Sequence, residues 1–185
     1  MKLLILGCGG HGRCCLEIAE AMNKYDEIAF LDDEHVGEII LGRKVIGRMS
    51  DLKLLGKEFD EVFIAIGNNR YRRELQEEAE KQFKIATLIH PLSFISNHTK
   101  IGKGSVIFPY VCIENSTSIG KSCIICANSV INHDATVGDG CLIYANTTIR
   151  ATAKVKDYVK IGSNCSISFG KEIEAESIIE DGRIL

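Results

Sequence analysis

Between Ile119 and Ile143 the chain reads IGKSCIICANSVINHDATVGDGCLI. An Ile or Val stands at 119, 125, 131, 137 and 143, six residues apart each time. A helix repeats every ~3.6 residues and a half-buried strand every ~2, so neither explains a strict six. The series runs without a slip from Ile95 through Ile101, Ile107 and Ile113, and on through Ile149, Val155, Ile161, Ile167 and Ile173 to Ile179. Four residues after each aliphatic the position is mostly small: Thr99, Ser105, Thr117, Cys123, Ser129, Ala135, Cys141, Thr147, Ala153, Cys165 and Ser177, with Val111, Val159 and Lys171 as exceptions. This pattern is the hexapeptide signature of a parallel β-helix. Each hexad supplies one short strand and one turn, and three hexads close a triangular coil. The aliphatic side chain fills a flat face, and the small residue fits the corner. Stacking of this kind gives roughly five coils. Gly102, Gly120 and Gly138 recur eighteen apart, on one edge; Lys156 breaks that series and Gly162 restarts it one hexad late.

The register also assigns the cysteines. Cys123, Cys141 and Cys165 take the small inward position, where a thiol serves as a small apolar group. Cys126 follows an aliphatic and belongs to a turn, so Cys123-x-x-Cys126 is two residues with different roles. A zinc site ordinarily needs four ligands, and no second CxxC or suitably spaced His pair is present; no metal is expected. Eight cysteines without a secretory signal fit a cytoplasmic chain with reduced thiols.

Upstream the period changes. Lys2–Leu6, Glu27–Leu31 and Glu61–Ile66 read as strands, with Lys44–Ile46 a short third and Ile85–Ile89 the last. Cys14–Met22 has apolar residues at helical spacing. Ser50 can cap a helix over Asp51–Gly56. Arg70–Phe83 is highly charged, with Leu75, Ala79 and Phe83 on one face, and reads as a surface helix; Arg72 could reach a phosphate, but so charged a helix favours a solvated face. Alternation of this kind predicts a small Rossmann-like parallel sheet flanked by helices over residues 1–91, followed by the β-helix over 92–185. The net charge of −3 and the lack of a basic stripe argue against a nucleic-acid partner. No apolar run is long enough to cross a bilayer, so no membrane insertion is expected.

Chemistry concentrates in three motifs. Gly7-Cys8-Gly9-Gly10-His11-Gly12 follows a strand and precedes a helix, with Asp32 and Asp33 ending the next strand. Such a loop lets a backbone approach a phosphate at a helix N-terminus, and the acids can accept from a ribose or base. Too few strands follow for a full dinucleotide fold, which disfavours NAD. Gly67-Asn68-Asn69 should lie at the same sheet end; either Asn caps the next helix or touches a ligand, and the residues leave both open. His133-Asp134 sits just past Ile131, at a turn facing out of the coil. An exposed turn His is unremarkable alone. Beside a carboxylate it becomes a general-base candidate, because His titrates near neutrality and the carboxylate favours its charged form.

Taken in order, LGCGGHG, FLDDE, VFIAIGNNRYRREL, LIHP and INHDATVG resemble the sugar O- and N-acetyltransferase family that includes sialic acid O-acetyltransferases. Within it the chain is most similar to the enzymes that N-acetylate a UDP-4-amino-sugar in the bacillosamine pathway. The resemblance implies a left-handed sense for the β-helix, acetyl-CoA as co-substrate, a UDP-amino-sugar held by the N-terminal domain, and a homotrimer with sites between subunits. It implies that Gly9, Gly10, His11, Asp32, Asp33 and Gly67 hold the nucleotide sugar, that His133 is the base with Asp134 beside it, and that Leu142 and Gly162 contact acetyl-CoA. Asp134 stands where the look-alike has Glu, Cys126 where it has Asn, and Glu180 where it has a cofactor-contacting glycine. O-acetylation of a sialic acid, or a non-catalytic nucleotide-sugar-binding role, are the rival readings.

Overall fold

Each hexad aliphatic closes a strand of two residues, from Phe94–Ile95 to Ile178–Ile179. The computed structural model describes residues 1–185 and divides into two compact units, Met1–Leu88 and Ile89–Leu185. The division falls three residues before the expected one after Pro91. In the second unit all strand pairs are parallel and eighteen residues apart, as in Ile113 with Ile131, Ile119 with Val137 and Ile125 with Ile143. The result is three stacked sheets of two-residue strands, a hexapeptide β-helix. Ile107, Ile113, Ile119, Ile125, Ile131, Val137, Ile143, Ile149, Val155, Ile161, Ile167 and Ile173 are each at most 5 % exposed. Burying each such side chain contributes about 1.5–3 kcal/mol, so the regular column is the main source of this unit's stability.

The inward small residue does more than fit. In several coils it donates a hydrogen bond to the corner carbonyl fifteen residues on. Ser105 Oγ donates to Gly120 O at 2.8 Å, Ser129 Oγ to Tyr144 O at 3.0 Å and Thr147 Oγ1 to Gly162 O at 2.7 Å. The thiols follow the same rule: Cys123 Sγ to Gly138 O at 3.0 Å, Cys141 Sγ to Lys156 O at 3.1 Å and Cys165 Sγ to Glu180 O at 3.1 Å. Ser, Thr and Cys thus satisfy carbonyls that burial would otherwise leave costly.

The turns bear on the glycine series. From Ile101 on, three residues after each core aliphatic the backbone takes positive φ, even at Ser122, Asn128, Asp134 and Tyr158 (55–60°). Two residues after it, Asp139, Asp157 and Asp181 each turn a carboxylate back one coil, where a Cβ on Gly120, Gly138 or Gly162 would lie 2.5, 2.3 and 2.4 Å from the Asp Oδ1. Backbone of the next coil crowds the same places: a Cβ on Gly162 would also lie 2.6 Å from Asp181 N, and one on Gly102, which precedes Lys121 by nineteen, would lie 2.4 Å from Gly120 C.

The first unit contains β1 (Lys2–Leu6), α1 (Gly10–Ala21), β2 (Glu27–Leu31), β3 (Ile39–Ile40), β4 (Arg43–Gly47), α2 (Leu52–Leu55), β5 (Glu61–Ile64) and α3 (Asn69–Ala79). The sheet order is β3–β4–β2–β1–β5, parallel except for the β3–β4 pair. Four expectations are corrected. The third strand runs Arg43–Gly47 and gains an antiparallel partner, β3, across a Leu41–Gly42 turn of positive φ. Ser50 does not cap the helix; Asp51 Oδ2 accepts from Arg48 N at 2.8 Å and starts a tight 3₁₀ turn over Met49–Asp51. Residues 85–89 form no continuous strand; Ile85 makes one bridge to Val62, and the next strand is Leu88–Ile89. Arg72 is not solvated but 1 % exposed. No helix is long and apolar enough to cross a membrane.

Glu61 opens β5 with its side chain 2 % exposed, held by Lys24 Nζ, Lys84 Nζ and Tyr25 Oη at 2.7, 2.7 and 2.6 Å. Burial opposes its ionisation, but these three donors outweigh burial and bring its pKa down to about 2. A depressed carboxylate stabilises the fold above its unfolded pKa and loses that contribution as pH falls toward the folded value. Urea unfolding of the wild type and of Glu61→Gln should therefore differ by on the order of 3 kcal/mol at pH 7, with the gap closing between about pH 5 and 2. A gap independent of pH would contradict this account.

Candidate functional site

β1, β2 and β5 are parallel, so the loops that follow them emerge at one sheet edge, with β1 in the centre. That edge is where an open α/β sheet ordinarily receives a ligand. The chain turns there at Gly7, whose φ is +96° and whose N–H donates to Leu31 O at 2.8 Å. Helix α1 begins at Gly10, four residues earlier than its apolar spacing suggests, which puts Gly10 and His11 in its first turn. Its N-cap, Gly9, offers no side-chain cap, and the first turn carries no acid. The leading amides thus have no capping side chain and no first-turn acid to offset their positive partial charge.

The glycines of this edge divide by their surroundings. A Cβ on Gly12 would meet Gly7 O at 2.1 Å, so Gly12 is required by packing. A Cβ on Gly9, Gly10 or Gly67 would meet nothing within 4 Å, and none of the three has positive φ. Neither packing nor backbone conformation calls for glycine there, and open approach to the backbone remains as its physical use.

The acids are already partly engaged. Asp32 accepts from Cys8 N (2.9 Å) and Glu34 N (3.0 Å), and Asp33 Oδ1 from Met49 N (3.0 Å). Burial opposes ionisation of Asp32, but the backbone donors hold its carboxyl below the usual range. Burial first, and the neighbouring Arg72 second, push His11 down to about 4, so its imidazole is neutral near pH 7. His11 Nε2 lies 3.5 Å from Cys15 Sγ. Arg72, on α3, could reach a phosphate by its sequence position but reads as solvated on so charged a helix; it is buried. It donates to Ile66 O (2.9 Å), Gly67 O (3.1 Å) and Asn69 Oδ1 (3.0 Å), which fixes the loop after β5. Asn68 is the helix cap, accepting from Tyr71 N at 2.9 Å. Cys8, Asp32 and His35 offer ligand atoms within 4.8 Å of one another. Asp32 is oriented by the two amides, and His35 Nδ1 lies 3.3 Å from Glu38 Oε2.

In the β-helix unit His133 occupies the turn between strands Val130–Ile131 and Thr136–Val137. Its side chain is 51 % exposed, and Nδ1 lies 2.7 Å from Asp134 Oδ2. An ionised carboxylate can only accept, so the neutral imidazole carries its proton on Nδ1 and presents an unprotonated Nε2. Farther along, Leu142 is buried in the strand Leu142–Ile143. Gly162 lines an open recess of about 330 Å³ with Tyr144, Lys160, Ser163, Glu180 and Asp181. Lys160 Nζ stands 5.5 Å from the Tyr144 ring centroid. Asp181 is partly used, accepting from Ser163 N at 2.7 Å.

Comparison with known proteins gives consistent matches. Residues 2–79 match the PglD N-terminal domain, and residues 98–133 and 116–151 match the bacterial transferase hexapeptide (six repeats). The UDP-N-acetylbacillosamine N-acetyltransferase of Bacillus subtilis is 32 % identical over 111 residues, 57 % of this chain. That match spans half of the curated enzyme's length. The acetyltransferase domain of PglB from Neisseria gonorrhoeae superposes with a TM-score of 0.95 at 28 % identity, over 100 % of this chain and 90 % of that one. Its complex with acetyl coenzyme A gives 0.88 at 29 %, over 99 % and 94 %. PerB from Caulobacter crescentus, in complex with CoA and GDP-perosamine, gives 0.72 at 25 %, over 97 % and 91 %.

Proposed function

We propose, from the match of residues 2–79 to the PglD N-terminal domain and of residues 98–133 and 116–151 to bacterial transferase hexapeptide repeats, that the chain is an acetyl-CoA-dependent N-acetyltransferase of a UDP-linked 4-amino-sugar. The observation that carries the reading is the exposed His133, its Nδ1 tied to Asp134 at 2.7 Å and its Nε2 left to accept a proton. The relatives support the substrate class: one is named for UDP-N-acetylbacillosamine, and another is seen with CoA and GDP-perosamine.

In this mechanism the neutral amine of the sugar attacks the thioester carbonyl while Nε2 of His133 takes its proton. The C–N bond forms, the tetrahedral intermediate collapses, and the C–S bond breaks. The imidazolium returns the proton to the departing thiolate, giving the N-acetyl sugar and CoA. Asp134 stabilises the imidazolium as it forms. Backbone N–H groups of the β-helix stabilise the oxyanion. On the N-terminal unit, Gly9, Gly10 and Gly67 admit the diphosphate close to the backbone, beside His11, Asp32 and Asp33. Gly162, with the backbone of Leu142, contributes to acetyl-CoA binding. Lys160 offers a cation to the CoA phosphates. The chain works as a homotrimer in the cytoplasm, and light scattering should return three times the chain mass.

The test is a panel. The protein with acetyl-CoA and a set of UDP-4-amino-sugars, GDP-perosamine and sialic acids, read by mass spectrometry, should add one acetyl group to a UDP-4-amino-sugar. Acetylation of a sialic acid alone would overturn the acceptor assignment. Failure to bind acetyl-CoA in calorimetry would overturn the enzyme assignment and favour a nucleotide-sugar-binding role.

A further inference from the structure

We propose that Glu114 is the positioning residue of the candidate base, holding the His133 turn through its backbone; this rests on the reading of His133 given above. The argument comes from a rule the β-helix follows elsewhere. The N–H two residues past a core aliphatic is a turn donor without a sheet partner. At Lys121, Asp139 and Ser163 it donates to a carboxylate eighteen residues later, on Asp139, Asp157 and Asp181, at 2.8, 2.8 and 2.7 Å. His133 occupies the equivalent place, but the residue eighteen later is Ala151, which has no acceptor. Its N–H donates instead to Glu114 Oε2 at 2.8 Å, nineteen residues earlier and one coil back. The support at this turn is reversed.

Glu114 is well placed for that task. Its own N–H donates to Ile131 O at 2.9 Å, and its carbonyl accepts from Thr99 Oγ1 at 2.9 Å, so its backbone is pinned from both sides. The carboxylate reaches from a fixed base to a turn whose other bonds are longer: Asn132 N to Ile149 O at 2.9 Å, Asp134 N to Asn115 O at 3.1 Å, Thr152 N to His133 O and Thr117 Oγ1 to Asn132 O at 3.2 Å, and Ala135 N to Asn132 O at 3.3 Å. The bond from Glu114 is the shortest the turn backbone makes, and it is charge-assisted. Because the acceptor comes from the preceding coil, position 151 is free to stay Ala. A reacting group is useful only when held close to productive geometry by such supports.

The test compares Glu114→Ala and Glu114→Gln with the wild type in the intact chain. Gln keeps an acceptor oxygen and loses the charge. A misplaced base can cost up to about a hundred-fold in rate, so Glu114→Ala should lower kcat by roughly ten- to hundred-fold while KM for acetyl-CoA stays within about two-fold. Glu114→Gln should recover most of that loss, with an unchanged pH profile of kcat. Independently of any turnover, hydrogen exchange of the His133 amide by NMR should be slow in the wild type and Glu114→Gln and fast in Glu114→Ala. Wild-type kcat together with unchanged exchange in Glu114→Ala would overturn the proposal. So would equal impairment of both variants with a shifted pH profile, which would mark a purely electrostatic effect. A wild type that acetylates nothing in the panel would defeat the functional reading, and the exchange comparison would still decide whether Glu114 holds the turn.

Discussion

Replacing His133 with Ala should leave the chain folded and lower kcat/KM for the amino-sugar by at least about a hundred-fold, since general-base assistance contributes ~10²–10⁴. The separation of activity from stability follows from the geometry. The side chain is half exposed, and its one close side-chain partner is Asp134. The bonds of His133 N to Glu114 and of Thr152 N to His133 O are made by the backbone and survive truncation. Stability should therefore move by no more than about 0.5 kcal/mol, as for surface substitutions in general. Asp134→Asn should give a smaller loss. The amide still bonds Nδ1, but it no longer supplies a charge to the imidazolium or enforces one tautomer. Steady-state kinetics beside thermal unfolding check both variants, and a His133→Ala chain with full activity would end the proposed mechanism.

The second large effect concerns Gly12. Its Cβ would lie 2.1 Å from Gly7 O and 2.8 Å from Gly7 C, both backbone atoms. Gly7 cannot retreat, because its N–H is bonded to Leu31 O at 2.8 Å and its own φ is +96°. Gly12→Ala should therefore destabilise the unit Met1–Leu88 by about 3 kcal/mol or more. The β-helix should keep its protection from hydrogen exchange. Gly9→Ala and Gly10→Ala make the useful contrast. Their Cβ atoms would meet nothing within 4 Å; Gly10 is helical, so Gly10→Ala should leave stability unchanged or slightly higher, whereas Gly9→Ala, at the N-cap, should cost about 0.5 kcal/mol. Their effect should fall on UDP-sugar affinity measured by calorimetry. If Gly12→Ala unfolds no more readily than Gly10→Ala, the packing account of this loop is wrong.

What could be read from the chain alone depended on the range of the forces involved. The six-residue period is set by each residue's own place on a coil, so the strands ending at Ile95 through Ile179 needed no knowledge of distant contacts. The return of glycine at Gly162 looked irregular because the atoms that crowd it, on Glu180 and Asp181, lie a full coil away in the sequence. In the first unit the strong apolar runs became β1, β2 and β5. β3 was missed because two residues carry no period. Arg72 was misread because its helix neighbours are charged. The carbonyls of Ile66 and Gly67 that pull it inside exist only once β5 and α3 are in place. The loop glycines pointed to a phosphate, but which of them packing requires and which it leaves open was a question for coordinates. The His133–Asp134 pair was legible through register, whereas the Glu114 contact, running one coil back against the prevailing direction, was not.

The eighteen-residue pairing has a consequence for how such a chain can change length. Losing one residue between Ile125 and Ile131 would shift every later aliphatic relative to the coil beneath it, and slips of that kind turn interior side chains outward. Removing eighteen would leave each remaining strand facing an equivalent partner, because every coil touches only its neighbours. Insertions and deletions in this half of the protein should accordingly survive either as whole coils or as loops extruded at a corner, where the positive-φ residues already turn the chain.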